Sequence, residues 1–278
     1  MASPTSPLAL LAVHAHPDDE ASSTGGILAR YSDEGIRTVL VTCTGGELGD
    51  GPGGVKPGEP GHVEAEVART RRAELERSCE LLGVSELEML GYRDSGMMGW
   101  PQNLAEGAFW ATPVAEAAER LAVLLERHRP QVVVTYDAKG FYGHPDHVQA
   151  HRVTVAALEA TQVASKLYCP ALPCSAMADF VTLFLEEGAD AGSSGAPPAE
   201  ALEVATPDEL VTTYVDCSAF AGRKRAALAA HSSQGDNRLF LRLDEDRFRQ
   251  LFGREAYVRL SDTTGAPVPE DDLFAGLR

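Results

Sequence analysis

Positive charge is scarce in this 278-residue chain: 24 Lys and Arg stand against 41 Asp and Glu, a formal net charge of −17. Nucleic-acid binding needs clustered Lys and Arg for the phosphates, so no nucleic-acid partner is expected, nor an anionic membrane surface. Long apolar runs are missing too. None approaches the roughly 20 residues of a membrane helix, although hydrophobic residues make up 44% of the chain, enough for a real core. Met1–Pro7 is short and rich in Ser and Pro, without the basic and apolar regions of a secretory signal. The five cysteines, Cys43, Cys79, Cys169, Cys174 and Cys217, form no C-x-x-C pair. An odd count without a secretory signal points to reduced thiols and a cytoplasmic protein. No G-x-G-x-x-G follows the first apolar run, so nothing supports a dinucleotide.

What the chain does have is alternation. Leu8–Ala15, Arg37–Thr44, Glu88–Gly91 and Gln131–Tyr136 read as strands; Ser22–Glu34, Val63–Leu82, Thr112–Arg129 and Asp146–Ala160 read as helices. Such alternation through the first 160 residues predicts a parallel sheet covered by helices. Gly45–Gly61 is too long for a plain connection and reads as a lid or binding loop. Further on the pattern loosens. Lys166–Cys169, Asp179–Leu185, Leu210–Asp216 and Ala256–Leu260 are strand candidates, Ser218–Ser233 and Asp244–Phe252 helices. Glu186–Thr206, dominated by Gly, Ala, Ser, Pro and Glu, reads as an exposed, mobile insert, and Ser261–Arg278 as a loose tail. The expected organisation is a single domain over 1–278, with a core at about 8–170 and residues 171–278 packing on it.

Two strand exits carry chemistry. Ala15-His16-Pro17-Asp18-Asp19-Glu20 closes the first strand with an imidazole and three carboxylates. In an open α/β sheet, ligands bind at the carboxyl ends of the strands. His16 and Asp19 are three apart on a turn kinked by Pro17, so both can face one point with Asp18 beside it. Tyr142-Gly143-His144-Pro145-Asp146-His147 follows the Gln131–Tyr136 strand, and a parallel sheet brings the two exits together. Catalytic zinc has three protein ligands and an open position. His16, Asp19 and His147 make such a set, with Asp18 as an adjacent base. Each motif alone has a plainer reading as a helix start, with Asp as N-cap and acids in the first turn. That reading leaves His16 and the run of three acids unexplained.

The two motifs together resemble the PIG-L/LmbE-like family of zinc-dependent N-acetylglucosaminyl deacetylases. The matching pieces are Ala-His-Pro-Asp-Asp-Glu at 15–20, Thr-Gly-Gly-Glu at 44–47, Arg-Asp-Ser-Gly at 93–96, Tyr-Gly-His-Pro-Asp-His at 142–147 and Ala-His-Ser-Ser-Gln at 230–234. The nearest flavour is the actinobacterial mycothiol branch, which holds a deacetylase acting on N-acetylglucosaminyl-inositol and an amidase acting on mycothiol S-conjugates. Ser23 is a small hydroxyl residue, as in the deacetylase; the amidase tends to carry lysine there. The insert at 186–206 and the end from Leu239 onward depart from that branch.

The resemblance implies an α/β fold: a Rossmann-like, mostly parallel sheet flanked by helices, with a smaller C-terminal α+β extension. It implies Zn2+ on His16, Asp19 and His147, though iron(II) or another divalent transition metal tolerates the same ligands. Asp18 would be the general base, Tyr142 and protonated His144 the oxyanion donors, and Asp146 the group that orients His144. Glu47, Arg71 and Asp94 would contact a small amino-sugar substrate. Arg71 also reads as solvated helix face, Asp94 as turn chemistry and His231 as a packed or capping histidine. Trp100, Phe109 and Trp110 would wall the sugar site or belong to the core. A mycothiol S-conjugate amidase, a natural-product sugar deacetylase and a catalytically silent sugar-binding protein of the same fold stay open, as does the oligomeric state.

Overall fold

Successive side chains of a strand point to opposite faces, and the first strand fills both. The computed structural model describes residues 7–177, 179, 182, 204–235 and 237–278, and in it β1 (Ala9–His14) is buried along its whole length. Leu10 and Ala12 pack with Leu40, Leu75 and Leu82 on one side of the sheet. Leu11 and Val13 pack with Val39, Val41, Leu121 and Leu125 on the other. A strand covered on both faces belongs inside a parallel sheet.

The chain continues through α1 (Asp19–Ser23), α2 (Gly25–Asp33), β2 (Arg37–Thr44), α3 (Glu64–Leu82), β3 (Glu86–Tyr92), α4 (Val114–His128), β4 (Val132–Val134), α5 (Pro145–Thr161) and β5 (Lys166–Ala171). The later described elements are β6 (Thr213–Asp216), α6 (Ala221–Ala230), α7 (Asn237–Leu241), α8 (Glu245–Phe252) and β7 (Arg254–Asp262). The seven strands form one sheet in the order β3-β2-β1-β4-β5-β7-β6. β1 to β5 are parallel, and β7 runs antiparallel to both its neighbours. The chain winds outward from β1 through β2 and β3, then restarts at β4 on β1's other edge. That reversal leaves a crevice at the carboxyl ends of β1 and β4, where the two motifs emerge. Among the described residues no helix is long and apolar enough to cross a membrane.

The expected helix Ser22–Glu34 is two helices, α1 and α2, broken at Thr24. Glu255 explains the break, because its carboxylate accepts the Gly26 and Ile27 N–H groups at 2.7 and 3.0 Å. A Cβ on Gly26 would lie 2.7 Å from that carboxylate, so only glycine admits the approach. Leu210–Asp216 shortens to β6, preceded by a 3-10 turn at Asp208–Leu210.

The tail expected to be loose is anchored. Leu273 and Phe274 are fully buried, and the Tyr31 hydroxyl donates to Asp272 at 2.8 Å. Glu270, also buried, accepts from Lys166 Nζ at 2.6 Å, Arg259 Nη1 at 2.8 Å, the Tyr168 hydroxyl at 2.8 Å and Thr213 Oγ1 at 3.0 Å. Two adjacent apolar residues have no periodicity, so the sequence pattern gave no sign of them. Apart from Asp179 and Thr182, the strand expected at Asp179–Leu185 lies outside the described residues, as does most of the insert expected at 186–206.

Candidate active site

The β1 exit bends sharply. Asp18 has φ 106° and ψ −26°, a left-handed conformation that costs a non-glycine residue roughly 1–2 kcal/mol and persists only where surrounding contacts impose it. The bend turns Asp19 back toward His16. Asp19 Oδ2 accepts the His16 N–H at 2.8 Å and the Tyr136 hydroxyl at 2.6 Å, and lies 3.4 Å from His16 Nδ1. Its other oxygen is 3.5 Å from His147 Nε2. Burial opposes ionisation of Asp19, but His147 and His16 hold its carboxyl well below the usual range. His16 is the converse: burial disfavours its charge, and Asp94, Asp146 and Asp19 raise its pKa well above the ordinary value.

The β4 exit supplies the facing wall. His144 caps α5, with Pro145 at its first position. His144 Nδ1 accepts the Asp146 N–H at 3.2 Å, which leaves the ring proton on Nε2. Ring nitrogens of His16, His144 and His147 all lie within 4.8 Å of one another. The His147 ring stacks on Tyr136, with centroids 4.1 Å apart and planes at 15°. Although His147 is buried, neither of its nitrogens has a hydrogen-bond partner among the described residues, and Asp146 Oδ1 has none either. Buried polar atoms are normally satisfied. Orphaned imidazole nitrogens beside a carboxylate are what a divalent transition metal would complete, so this donor set fits zinc.

Two details depart from expectation. The Asp146 carboxylate is turned to His16 Nε2, at 3.2 Å, and to the Ser95 N–H, at 2.9 Å, rather than to His144. Only its backbone N–H orients His144. Burial, reinforced by His16 and His147, pushes the His144 pKa far down, which favours a neutral ring over the protonated one expected.

Asp18 stands beside the cluster, and burial pushes its pKa up to about 6 against the pull of Arg71. Arg71 is buried, not solvated: Nη2 lies 3.2 Å from Asp18 Oδ2 and Nη1 donates to Gly46 O at 2.7 Å. Gly46 has φ 63°, and a Cβ there would meet Arg71 Nη1 at 2.4 Å. Asp94 is buried as well, with Oδ1 3.7 Å from His16 Nε2 and accepting the Gly96 N–H. Glu47 accepts the Asp94 N–H at 3.0 Å. Tyr142 is half exposed, its ring centroid 5.0 Å from that of His147. A cavity of about 320 Å³ opens beside Asp18, lined also by Leu48, Asp50, Lys56, Trp100 and Gln234. Trp100 lines this cavity; Phe109 is core, stacked on Tyr92.

Sequence reasoning passed over Tyr136 and Ser95, which hold Asp19 and Asp146. Tyr136 ends a strand pattern and Ser95 sits in a turn, so neither stood out.

These features describe a histidine and carboxylate cluster that could hold a metal ion, in the crevice of a doubly wound sheet. Residues 11–158 match the family model described as PIG-L, GlcNAc-PI de-N-acetylase. The 1D-myo-inositol 2-acetamido-2-deoxy-alpha-D-glucopyranoside deacetylase of Acidothermus cellulolyticus is 41% identical over 96% of this chain and 94% of its own. The protein of the same name from Thermobifida fusca is 46% identical over 81% and 82%. The chain belongs to the PIG-L family. The first alignment leaves out only 4% of the chain, so most of the end from Leu239 onward aligns with that relative. Among solved structures, the N,N'-diacetylchitobiose deacetylase of Pyrococcus horikoshii has the same fold, with TM-score 0.58 at 20% identity over 92% of this chain and 84% of that one.

Proposed function

We propose that this N-deacetylase of the PIG-L family removes the acetyl group from an N-acetylglucosamine-type sugar, N-acetylglucosaminyl-inositol first among them, at a zinc ion held by His16, Asp19 and His147. The observation that carries this is the orphaned, buried His147 facing Asp19 and His16, with Asp18 alongside. The inositol glycoside is supported by the names of relatives that align over nearly the whole chain. Five free thiols support a cytoplasmic location.

Bound zinc would supply a Lewis acid that acidifies the attacking water and polarises the acetamide carbonyl. Asp18 takes the proton of that water; a carboxylate with a pKa of about 6 is a competent base at neutral pH. The developing oxyanion receives hydrogen bonds from His144 Nε2–H and the Tyr142 hydroxyl. Asp18, now protonated, returns its proton to the leaving amine, so no separate acid is required. Arg71, Asp94 and Glu47 would contact the sugar.

The test is acetate release from N-acetylglucosaminyl-inositol and from N-acetylglucosamine, with metal-stripped and zinc-restored protein. Zinc-dependent release, faster with the inositol glycoside, is expected. No release from either, with zinc bound, would overturn the substrate assignment and point to larger amides.

A further inference from the structure

The peptide bond between Pro17 and Asp18 is gripped on both edges. On one edge, Arg71 Nη2 donates to the Pro17 carbonyl oxygen. On the other, Glu20 Oε2 accepts the Asp18 N–H at 2.9 Å. A dipeptide unit held this way cannot rotate about its long axis, and that rotation is the motion that would relax the left-handed φ of Asp18.

Glu20 is itself held from outside the β1 exit. Its Oε1 accepts from Ser78 Oγ at 2.5 Å and from His231 Nε2 at 2.7 Å. Glu20, Ser78 and His231 are all fully buried. A buried carboxylate is costly unless paired and hydrogen-bonded, so without His231 the carboxylate is driven to turn away in search of another partner. His231 follows α6, 211 positions further along the chain than Glu20 and beyond the stretch matched by the family model. Its neighbours fasten the same turn. The Ser233 N–H and Oγ donate to Glu74 on α3 at 2.8 and 2.7 Å. Gln234 bonds Asp50 in the loop after β2 through both its oxygen and its nitrogen.

We propose that His231 is a positioning residue for the deacetylation: through Glu20 it locks the Pro17–Asp18 peptide, and so aims the Asp18 carboxylate at the reacting centre. His231 touches neither the histidine cluster nor the cavity beside Asp18. Its hydrogen-bonded route to the base runs through Glu20, and its charge also acts on Asp18 across the interior. Misplacing a reacting group by about 1 Å costs on the order of 10²-fold in rate. His231→Ala should lower kcat by about 10- to 100-fold with KM and zinc stoichiometry unchanged. His231→Gln, which keeps a donor toward Glu20, should recover most of the loss.

This inference rests on Asp18 being the base, so the decisive experiment is a double-mutant cycle of His231→Ala and Asp18→Asn on acetate release. Thermal midpoints and bound zinc are measured on all four proteins. Strong non-additivity is expected: His231→Ala should slow the Asp18→Asn enzyme no further. A full, additive loss on that background overturns the inference, as does a His231→Ala loss that tracks zinc content or the folded fraction. Full activity of Asp18→Asn alone would instead remove the proposed base, which separates failure of that reading from failure of this one.

Discussion

From β1 to β5, every side chain of the histidine and carboxylate cluster sits in the loop after a strand or in the first turn of the helix that follows. His16 and Asp19 follow β1, Asp94 follows β3, and His144, Asp146 and His147 follow β4 at the start of α5. From β6 to Arg278, no described residue joins the cluster. That region instead reaches back with buried ions: His231 to Glu20, and Glu255 to the start of α2 while paired with Lys224 at 2.6 Å. One region reacts and the other holds it still. Winding the parallel half creates the crevice but leaves α1 and α2 as short helices with an exposed flank. The antiparallel addition covers that flank and ties it down with charge.

The comparison is broken most severely from the first region. Asp18→Asn should lower kcat by about 10²- to 10⁴-fold, with the thermal midpoint and zinc content kept, as measured by acetate release and metal analysis. Next in size is a change in the second region with the opposite signature. Glu255→Ala strands the buried Lys224 and two backbone N–H groups, and should cost about 3–5 kcal/mol of stability in denaturant titration. Turnover per folded molecule should be preserved. If that variant lost turnover while staying fully folded, Glu255 would act on the site as His231 does and not on stability alone.

A pH effect sharpens the same contrast. Burial raises the Asp272 pKa, but the Phe274 N–H, Arg278 and Tyr31 outweigh it and leave the carboxyl below its ordinary 3.8. A depressed acid contributes stability above its unfolded pKa and loses it as pH falls through the folded value. The stability difference between wild type and Asp272→Asn should therefore be steady well above pH 3.8 and shrink below it. The smallest expected effect is on thiol labelling. Cys43, Cys79, Cys169 and Cys217 are buried and their thiols are held above the usual range by that burial. Cys174 is exposed. Alkylation of the native protein should modify Cys174 alone, read by mass spectrometry.

The parallel half was legible because its signals are local. An apolar run of strand length, ended by His16-Pro17-Asp18-Asp19-Glu20, announces both a buried strand and its chemistry. The second region gave little away for an equally physical reason. Glu255 lies in β7 yet caps a helix more than two hundred residues earlier, and no periodicity encodes such a partner. Leu273 and Phe274 fill the core beside Tyr31 from a stretch that looks like tail. Within the site, Arg71 reads as surface because its neighbours Arg72 and Arg77 are surface. Only the loop folded over it makes Arg71 buried. The orientation of Asp146 toward His16 rather than His144 depends on where the Ser95 N–H falls, which is set by β3.

The most direct test is to strip the protein of metal, titrate it with zinc and follow the initial rate of acetate release from N-acetylglucosaminyl-inositol. The account predicts a rate that climbs from baseline and breaks at one zinc per chain, with His147→Ala removing the climb. Full activity of the stripped protein, or a climb that His147→Ala leaves untouched, would contradict it.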